Sequence, residues 1–439
     1  MKQKVITFQG MMDFHCIADK CEDNCCKGWD VKYDQHHFEH LQSMVSGDEQ
    51  QKASIEQNIN LLENGTKKHF AQIRLNQNNC CSFQNASGLC NLHKDHGVEA
   101  LSDTCSLFPR ITSHTPTHIE VAGALSCPEL ARKTLLDPRP FKLTQTESSI
   151  LPRLVETQEI PIEGERKLSY EGQHSKIRGS LIGIMNEESF SFSSRLFCLS
   201  NLANEISDFY YKGCLLPNSK QLKTALQLHS SRLAIQKIEK QLAQYLPSDP
   251  MPIIVIQAVL RLRLQHYPND ALSQMISRSF NYYQEKIGST FVLEDGNMPP
   301  DLLWNAHQQD ADRLYDKHRE IVESVLTRYV QNCLFRDHFS KMPSLFAYLH
   351  MLSIRVAVLR FLIVGNPNIL SLLDEDGDSS NTTELINQHL IEVVYKFSRY
   401  VDQNTRYLES IYYAMIDQDI MKFDLALPFI AMKGVSSDV

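Results

Sequence analysis

The chain has 439 residues, 42% of them hydrophobic and 22% charged, and carries a net charge of −8. That length argues for two domains, and the apolar share is ample for a core; the acidic balance excludes an electrostatic nucleic-acid footprint. Of the twelve cysteines, Cys16, Cys21, Cys25, Cys26, Cys80, Cys81, Cys90, Cys105 and Cys127 all precede Pro128, and only Cys198, Cys214 and Cys333 follow it.

The apolar run Val5 to Phe8 is too short for the core of a signal peptide. The longer runs, MPIIVIQAVL from Met251 and the region Leu352 to Val364, contain arginine or end at polar residues short of a membrane span. These features predict a soluble, cytoplasmic protein. In that reducing compartment clustered thiols indicate metal rather than disulfides. Cysteines serving only as small core hydrophobes would be scattered through the chain.

In chain order, residues 1–34 carry the first cysteine block, CIADKCEDNCCKGWD, whose polar spacers suit a tight loop. Phe38, Leu41, Met44 and Val45 recur at helical spacing up to Gly47, and a second helix is predicted from Ser54 to Leu62, before Asn64-Gly65. Phe70, Ile73 and Leu75 predict a short strand. Gly88 predicts a hairpin-like turn that joins Cys81 to Cys90, and a short helix over Gly97 to Ser102 would leave Cys105 just after it. His118 to Val121 reads as a strand. Ser126-Cys127-Pro128-Glu129 has a capping-box pattern opening a helix to about Leu136, which puts Cys127 where backbone N–H groups favour a thiolate.

Prolines at 138, 140, 152 and 161 mark a linker over 141–169. Beyond it helices are predicted around Ile177–Ile184, Leu196–Phe209 and Ile235–Tyr245, then over 251–265, 270–286, 310–336, 344–364, 383–403 and 404–417. The fold class is therefore mainly α: a cysteine-rich, metal-binding α+β domain over 1–140, the linker, and an all-α helical domain over 170–439.

Thiolates bind soft or borderline metals, so zinc and an iron–sulfur cluster are the two readings of the cysteine blocks. The gaps Cys16–Cys21 and Cys21–Cys25 fit knuckle spacing, whereas adjacent Cys25 and Cys26 point apart and rarely share one ion. His36 and His40, at i, i+4 on a polar helix, read as a solvated face; His93 and His96, beside Cys90, are stronger ligand candidates.

The blocks FHCIADKCEDNCCKGWDV, CSFQNASGLCNLHKDHGVEALSDTCSLFPR and LSCPELARKTL closely resemble the bacterial flagellin lysine N-methylase family. Weaker likeness continues in SSRLFCLSNLA, YVQNCLF and VYKFSRYV. The family is close to a broader set named for a C-x-x-C-x-x-C-C zinc- or iron-chelating segment, although the gaps before Cys21 and Cys25 are wider here. The resemblance implies methylation of ε-amino groups on flagellin lysines, with S-adenosylmethionine as donor and a 4Fe–4S cluster as cofactor. It carries the metal role onto Cys16, Cys21, Cys25, Cys26, Cys81, Cys90, Cys105 and Cys127, and it leaves Cys80 out. Ser82, where the family pattern has Pro, and Phe108, where Tyr is commoner, remove no ligand. Arg110, after Phe108-Pro109, is a candidate for bonding a thiolate or the donor's carboxylate; Tyr329, Asn332 and Arg399 fall in the later blocks as candidates for lining a site. No glycine-rich nucleotide loop is present. The acidic stretches Asp374 to Asp378 and Glu294-Asp295 could attract a substrate lysine, and they equally suit a solubilising surface.

Overall fold

The short apolar run at the N-terminus becomes β1 (Lys4–Phe8), where Val5 and Phe8 are buried and the Thr7 hydroxyl donates to the Val121 carbonyl at 2.7 Å. The structure is a computed structural model that describes residues 4–115, 117–147, 150–152, 158–159, 170–211, 219–244, 250–288, 297–374 and 380–432. Its contacts divide the chain into a unit made of 1–133 and 142–160 and a second made of 134–141 and 161–439.

In the first unit β1 is followed by α1 (Gln9–Met12), β2 (Lys32–Tyr33), α2 (Gln35–Met44), α3 (Glu49–Asn58), β3 (Ile59–Leu61) and β4 (Ala71–Ile73). Next come α4 (Asn91–His96), α5 (Asp103–Leu107), β5 (Arg110–His114), β6 (Ile119–Gly123), α6 (Pro128–Leu135), β7 (Leu143–Glu147) and β8 (Gln158–Glu159). Five strands form one sheet in the order β7-β1-β6-β5-β8, and three form another in the order β2-β4-β3. The small sheet, α2 and α3 enclose a core of Tyr33, Phe38, Leu41, Ile55 and Ile73, which Cys81 joins and against which Cys26 and Cys90 pack.

Local chemistry explains where these elements start. Asp34 caps α2 by accepting from the His37 amide, and Asp48 caps α3 by accepting from Gln50 and Gln51. That second cap starts the helix five residues before the predicted Ser54, and the stretch predicted to complete it, Ile59–Leu61, instead pairs with β4. Leu143 to Glu147, inside the stretch read as linker, pair antiparallel with all of β1, from Lys4 opposite Glu147 to Phe8 opposite Leu143. Proline content marked that stretch, yet the prolines lie outside β7.

Among the described residues the second unit is all helical. It holds α7 (His174–Met185), α8 (Phe192–Tyr211), α9 (Ser219–His229), α10 (Arg232–Ala243), α11 (Met251–His266) and α12 (Ala271–Ile287). Then follow α13 (Pro300–Arg336), kinked by non-helical backbone at His318, α14 (Leu345–Val364), α15 (Pro367–Leu373), α16 (Ser380–Phe397), α17 (Thr405–Asp417) and α18 (Ala426–Ile430). A π-helical turn, Ser398–Asp402, extends α16. Helix α13 begins ten residues before the predicted 310, because Pro300 at its first position costs no hydrogen bond there. Among the described residues, α14 alone is long and apolar enough to cross a membrane, but its apolar window is wholly buried within the unit. It packs on α8, α13, α16 and α18, so it is apolar on every side as the central core helix.

Candidate metal centre

The cysteine loops are bound to one another through their backbones. Cys81 donates its amide to the Cys26 carbonyl at 2.7 Å, Gly28 donates to Asn79 at 2.8 Å, and Lys27 bridges Cys80. Gly28 sits at φ +76, a left-handed turn that directs the chain from Cys25-Cys26 into Trp29. Trp29 meets Phe108 edge-on at 5.2 Å between ring centroids. The predicted hairpin is present: the Asn85 carbonyl accepts from Gly88, its amide donates to Leu89 and its Oδ1 accepts from Leu89, Gly88 has φ +78, and Gln84 bridges Cys90. Cys90 is the N-cap residue of α4.

Cys105 lies inside α5 rather than after a helix, because Ser102 caps α5 by accepting the Cys105 amide; Val98–Ala100 forms only a 3₁₀ turn. Its neighbours are Ser102 and the thiols of Cys81, Cys90 and Cys25. Cys127 immediately precedes α6, and its sulfur accepts from the amides of Leu130 and Glu129. Arg132 ties α6 to the first loop by donating to both Glu129 and Glu22, which brings Cys21 towards Cys127.

Sulfur after sulfur meets a backbone donor. Asp23 supplies one to Cys21, Phe83 and Gln84 supply Cys81, and His93 and Leu92 supply Cys90. Such N–H···S contacts are what stabilise metal-bound thiolates. Without a metal the balance runs the other way. Burial pushes the thiols of Cys21, Cys81 and Cys90 up, and it carries Cys127 to about 12. Cys26 is raised chiefly by its hydrogen bond with Cys25 and then by burial. The helix N-terminus at Cys127 is thus outweighed by desolvation, and a thiolate there requires a metal to displace the proton.

Electrostatically Cys25 acts on Cys26, Cys81, Cys90, Cys105 and Cys127, Cys21 acts on Cys127, and Cys16 acts on Cys21. Cys80 stands apart, its sulfur donating to the Asn78 carbonyl at 3.6 Å. A tetrahedral zinc with bonds of about 2.3 Å needs sulfurs roughly 3.8 Å apart. Among the described residues no three cysteines bring their sulfurs within 4.8 Å of one another.

His36, His40 and His93 are exposed, and His96 is half-buried at the end of α4. The metal-type donors that do lie within 4.8 Å of one another are Asp34, His37 and Asp103, which sequence reasoning passed over. Their contact is accounted for by the α2 cap, since Asp34 accepts from both the amide and the ring of His37.

Arg110 belongs to the first unit; Tyr329, Asn332 and Arg399 belong to the second. Tyr329 and Asn332 are fully buried. The Tyr329 hydroxyl donates to Asp402 at 2.9 Å, and Asp402 also receives Arg355 at 3.1 Å and faces Arg336 at 3.5 Å. Arg336 and Arg355 in turn bind Asp337, at 2.7 and 3.3 Å. Two arginines and two aspartates thus neutralise one another inside the helices. Arg399 is half-buried on the same π-helical turn, with its guanidinium 5.8 Å from the ring of Tyr400. Asp374 is 70% exposed and pairs with Arg313; the rest of its acidic stretch and Glu294-Asp295 lie outside the described residues, as does Cys214.

A cysteine-lined α+β unit followed by an all-α unit defines a two-part, thiol-rich helical protein. Residues 178–427 match the FliB lysine N-methylase C-terminal domain. With more than half of its length so matched, the chain belongs to the FliB lysine N-methylase family. It is also 30% identical to the flagellar biosynthetic protein FliU of Salmonella muenchen over 150 residues, 34% of this chain and 87% of that one. The lysine-N-methylases of Salmonella typhimurium and Salmonella choleraesuis are each 29% identical over 147 residues, 33% of this chain. The match spans only 36% of each of those two relatives. No solved structure matches the chain.

Proposed function

We propose that the protein is a protein-lysine N-methyltransferase that acts on flagellin, with S-adenosylmethionine as donor and a 4Fe–4S cluster held by thiols of the first unit. The observation that carries the reading is the family match across the helical unit, residues 178–427. FliU and the lysine-N-methylases, by their names, tie such chains to the flagellum and to lysine methylation. In the reaction the neutral ε-amine nitrogen bonds to the donor's methyl carbon, the carbon–sulfur bond breaks with its electron pair on sulfur, and the nitrogen gives up a proton.

The first unit supports the cofactor by its donor set. Cys16, Cys21, Cys25, Cys26, Cys81, Cys90, Cys105 and Cys127 are more thiols than one tetrahedral zinc ion uses, and Cys21, Cys81, Cys90 and Cys127 accept backbone N–H groups. A cluster needs four of these thiolates and, once bound, supplies a redox-active iron centre. The chain's own part is to direct backbone N–H groups at the sulfurs of Cys21, Cys81, Cys90 and Cys127 and to keep the Cys21 and Cys127 segments together through Arg132.

Anaerobically purified protein incubated with flagellin and S-adenosylmethionine should yield methylated lysines in peptide mass spectra, and metal analysis should find iron with labile sulfide. Flagellin left unmodified by metal-replete protein would overturn the activity and leave a binding module. Stoichiometric zinc without sulfide would overturn the cofactor.

A further inference from the structure

We infer that the outer face of the α9–α10 pair is a docking surface for the protein substrate, and that it takes an acidic segment carrying an apolar side chain. The inference deepens the methyltransferase reading above and rests on it for the identity of the substrate. Helices α9 and α10 both pack on α8. They turn into one another at Ser230-Ser231, where the Ser231 amide and hydroxyl both donate to the Leu228 carbonyl, at 3.2 and 2.6 Å. Burial fixes their inner faces: Leu222, Ala225 and Leu226 on α9, and Ile235, Ile238 and Leu242 on α10. Two leucines are left outside. Leu228 and Leu233 flank the turn at 58% and 76% exposure, and Leu233 is the most exposed large apolar side chain among the described residues.

Charge sets the kind of partner. The whole chain carries −8, yet residues 219–243 hold five lysines and arginines and one carboxylate. That carboxylate, Glu239, is taken up by the amide and hydroxyl of Ser191, and one of the cations, Arg232, pairs with Glu187. Lys223, Lys237 and Lys240 are exposed and form no ion pair among the described residues. On α10, Leu233, Lys237 and Lys240 stand at i, i+4 and i+7, so one face presents an apolar side chain followed by two ammonium groups. A solubilising surface intersperses both signs, whereas an unopposed positive face beside exposed leucines complements an acidic, partly apolar protein segment. A lipid surface is the poorer occupant, because the apolar stripes of both helices are already used in the core and only two leucines remain to enter acyl chains. The pair also lies within residues 178–427, the part of the chain that matches the lysine N-methylase domain.

The test measures flagellin binding by fluorescence anisotropy and methylation kinetics with the full-length, metal-replete protein. One variant is Lys223→Glu/Lys237→Glu/Lys240→Glu, and a second is Leu228→Ser/Leu233→Ser. A control, Lys32→Glu/Lys52→Glu/Lys68→Glu, makes the same charge change at exposed positions of the first unit. The first variant should weaken flagellin binding and raise KM roughly tenfold with kcat unchanged, and its deficit should shrink as salt rises. The leucine variant should weaken binding at every salt concentration, and the control should behave as wild type. A wild-type KM in either surface variant overturns the inference, as does an equal rise in the control or a fall in kcat alone. Loss of binding to phosphatidylserine vesicles with flagellin binding intact also overturns it, and assigns the face to lipid. Flagellin that binds with the expected dependence but stays unmethylated overturns the activity and leaves the docking surface standing. Flagellin neither bound nor methylated by the wild-type protein overturns both.

Discussion

The amide of Cys81 donates to the carbonyl of Cys26 at 2.7 Å, so the backbone itself joins two cysteine loops far apart in sequence. That bond is made by backbone, so it survives substitution of either side chain. Cys→Ser changes at Cys26, Cys81 or Cys90 should therefore remove metal without unravelling the loop, while the stability that metal lends the first unit is lost. Cys333→Ala, deep in the helices, should leave metal content unchanged and cost about 1–2 kcal/mol through its small cavity. Metal analysis beside denaturant unfolding checks both; equal metal loss from Cys81→Ser and Cys333→Ala would contradict the assignment of the centre.

Asp402 should be among the least replaceable residues of the helical unit. Its carboxylate has no solvent exposure and serves Arg355, Arg336 and Tyr329 together. Asp402→Ala leaves two buried guanidinium groups short of charge and should cost about 3–5 kcal/mol. Tyr329→Phe removes one hydrogen bond to the same carboxylate and should cost about 1–2 kcal/mol. Chemical denaturation followed by far-ultraviolet circular dichroism separates the two, and comparable losses would place the energy elsewhere.

The second unit should lose stability in mild acid. His307 is fully buried and stacked on Phe361, and burial, with the charges of Arg360 and Lys286, pushes its pKa down to about 3. In the unfolded chain it titrates near about 6.5. The unfolded state takes up a proton that the folded state refuses, so this contribution is intact above about pH 6.5 and is lost as pH falls towards 3, by about 1.4 kcal/mol per unit. His350, lowered to about 4 by burial, adds a loss of the same sign. Between pH 7 and 5 wild-type protein should lose roughly 2 kcal/mol more than His307→Phe. Identical pH profiles would show that His307 finds a proton partner.

Gly365 ends α14 where a Cβ would lie 2.6 Å from Cε2 of Tyr283, itself fully buried. Gly365→Ala should cost about 1–3 kcal/mol by overpacking, and adding Tyr283→Leu should recover part of it. A double variant no more stable than Gly365→Ala would show that the backbone, not the ring, is the obstacle.

Much of this protein was legible along the chain because the relevant forces act over a few residues. Helical periodicity placed α2, α7, α8, α11, α12, α14 and α17 closely, and Gly88 announced the turn joining Cys81 to Cys90, since local apolar spacing and backbone freedom suffice for both. The clustering of thiols before Pro128 was equally plain, and it is one-dimensional information. What tertiary structure alone decided is everything that depends on pairing. β7 exists because β1 offers it a full register, although its residues alternate too weakly to announce a strand. Ile59–Leu61 leaves the helical pattern for the same reason: β4 is a better partner than another turn of α3. The hydroxyl of Tyr329 gets its partner only in the packed chain, where the π-helical turn brings Asp402 to it. Arg110 likewise acquires its neighbours only in the sheet, opposite Gly123 and with its guanidinium 5.3 Å from the ring of Phe14. Side-chain type and spacing determine what a residue can bond to, and only the packed chain decides which partner reaches it first.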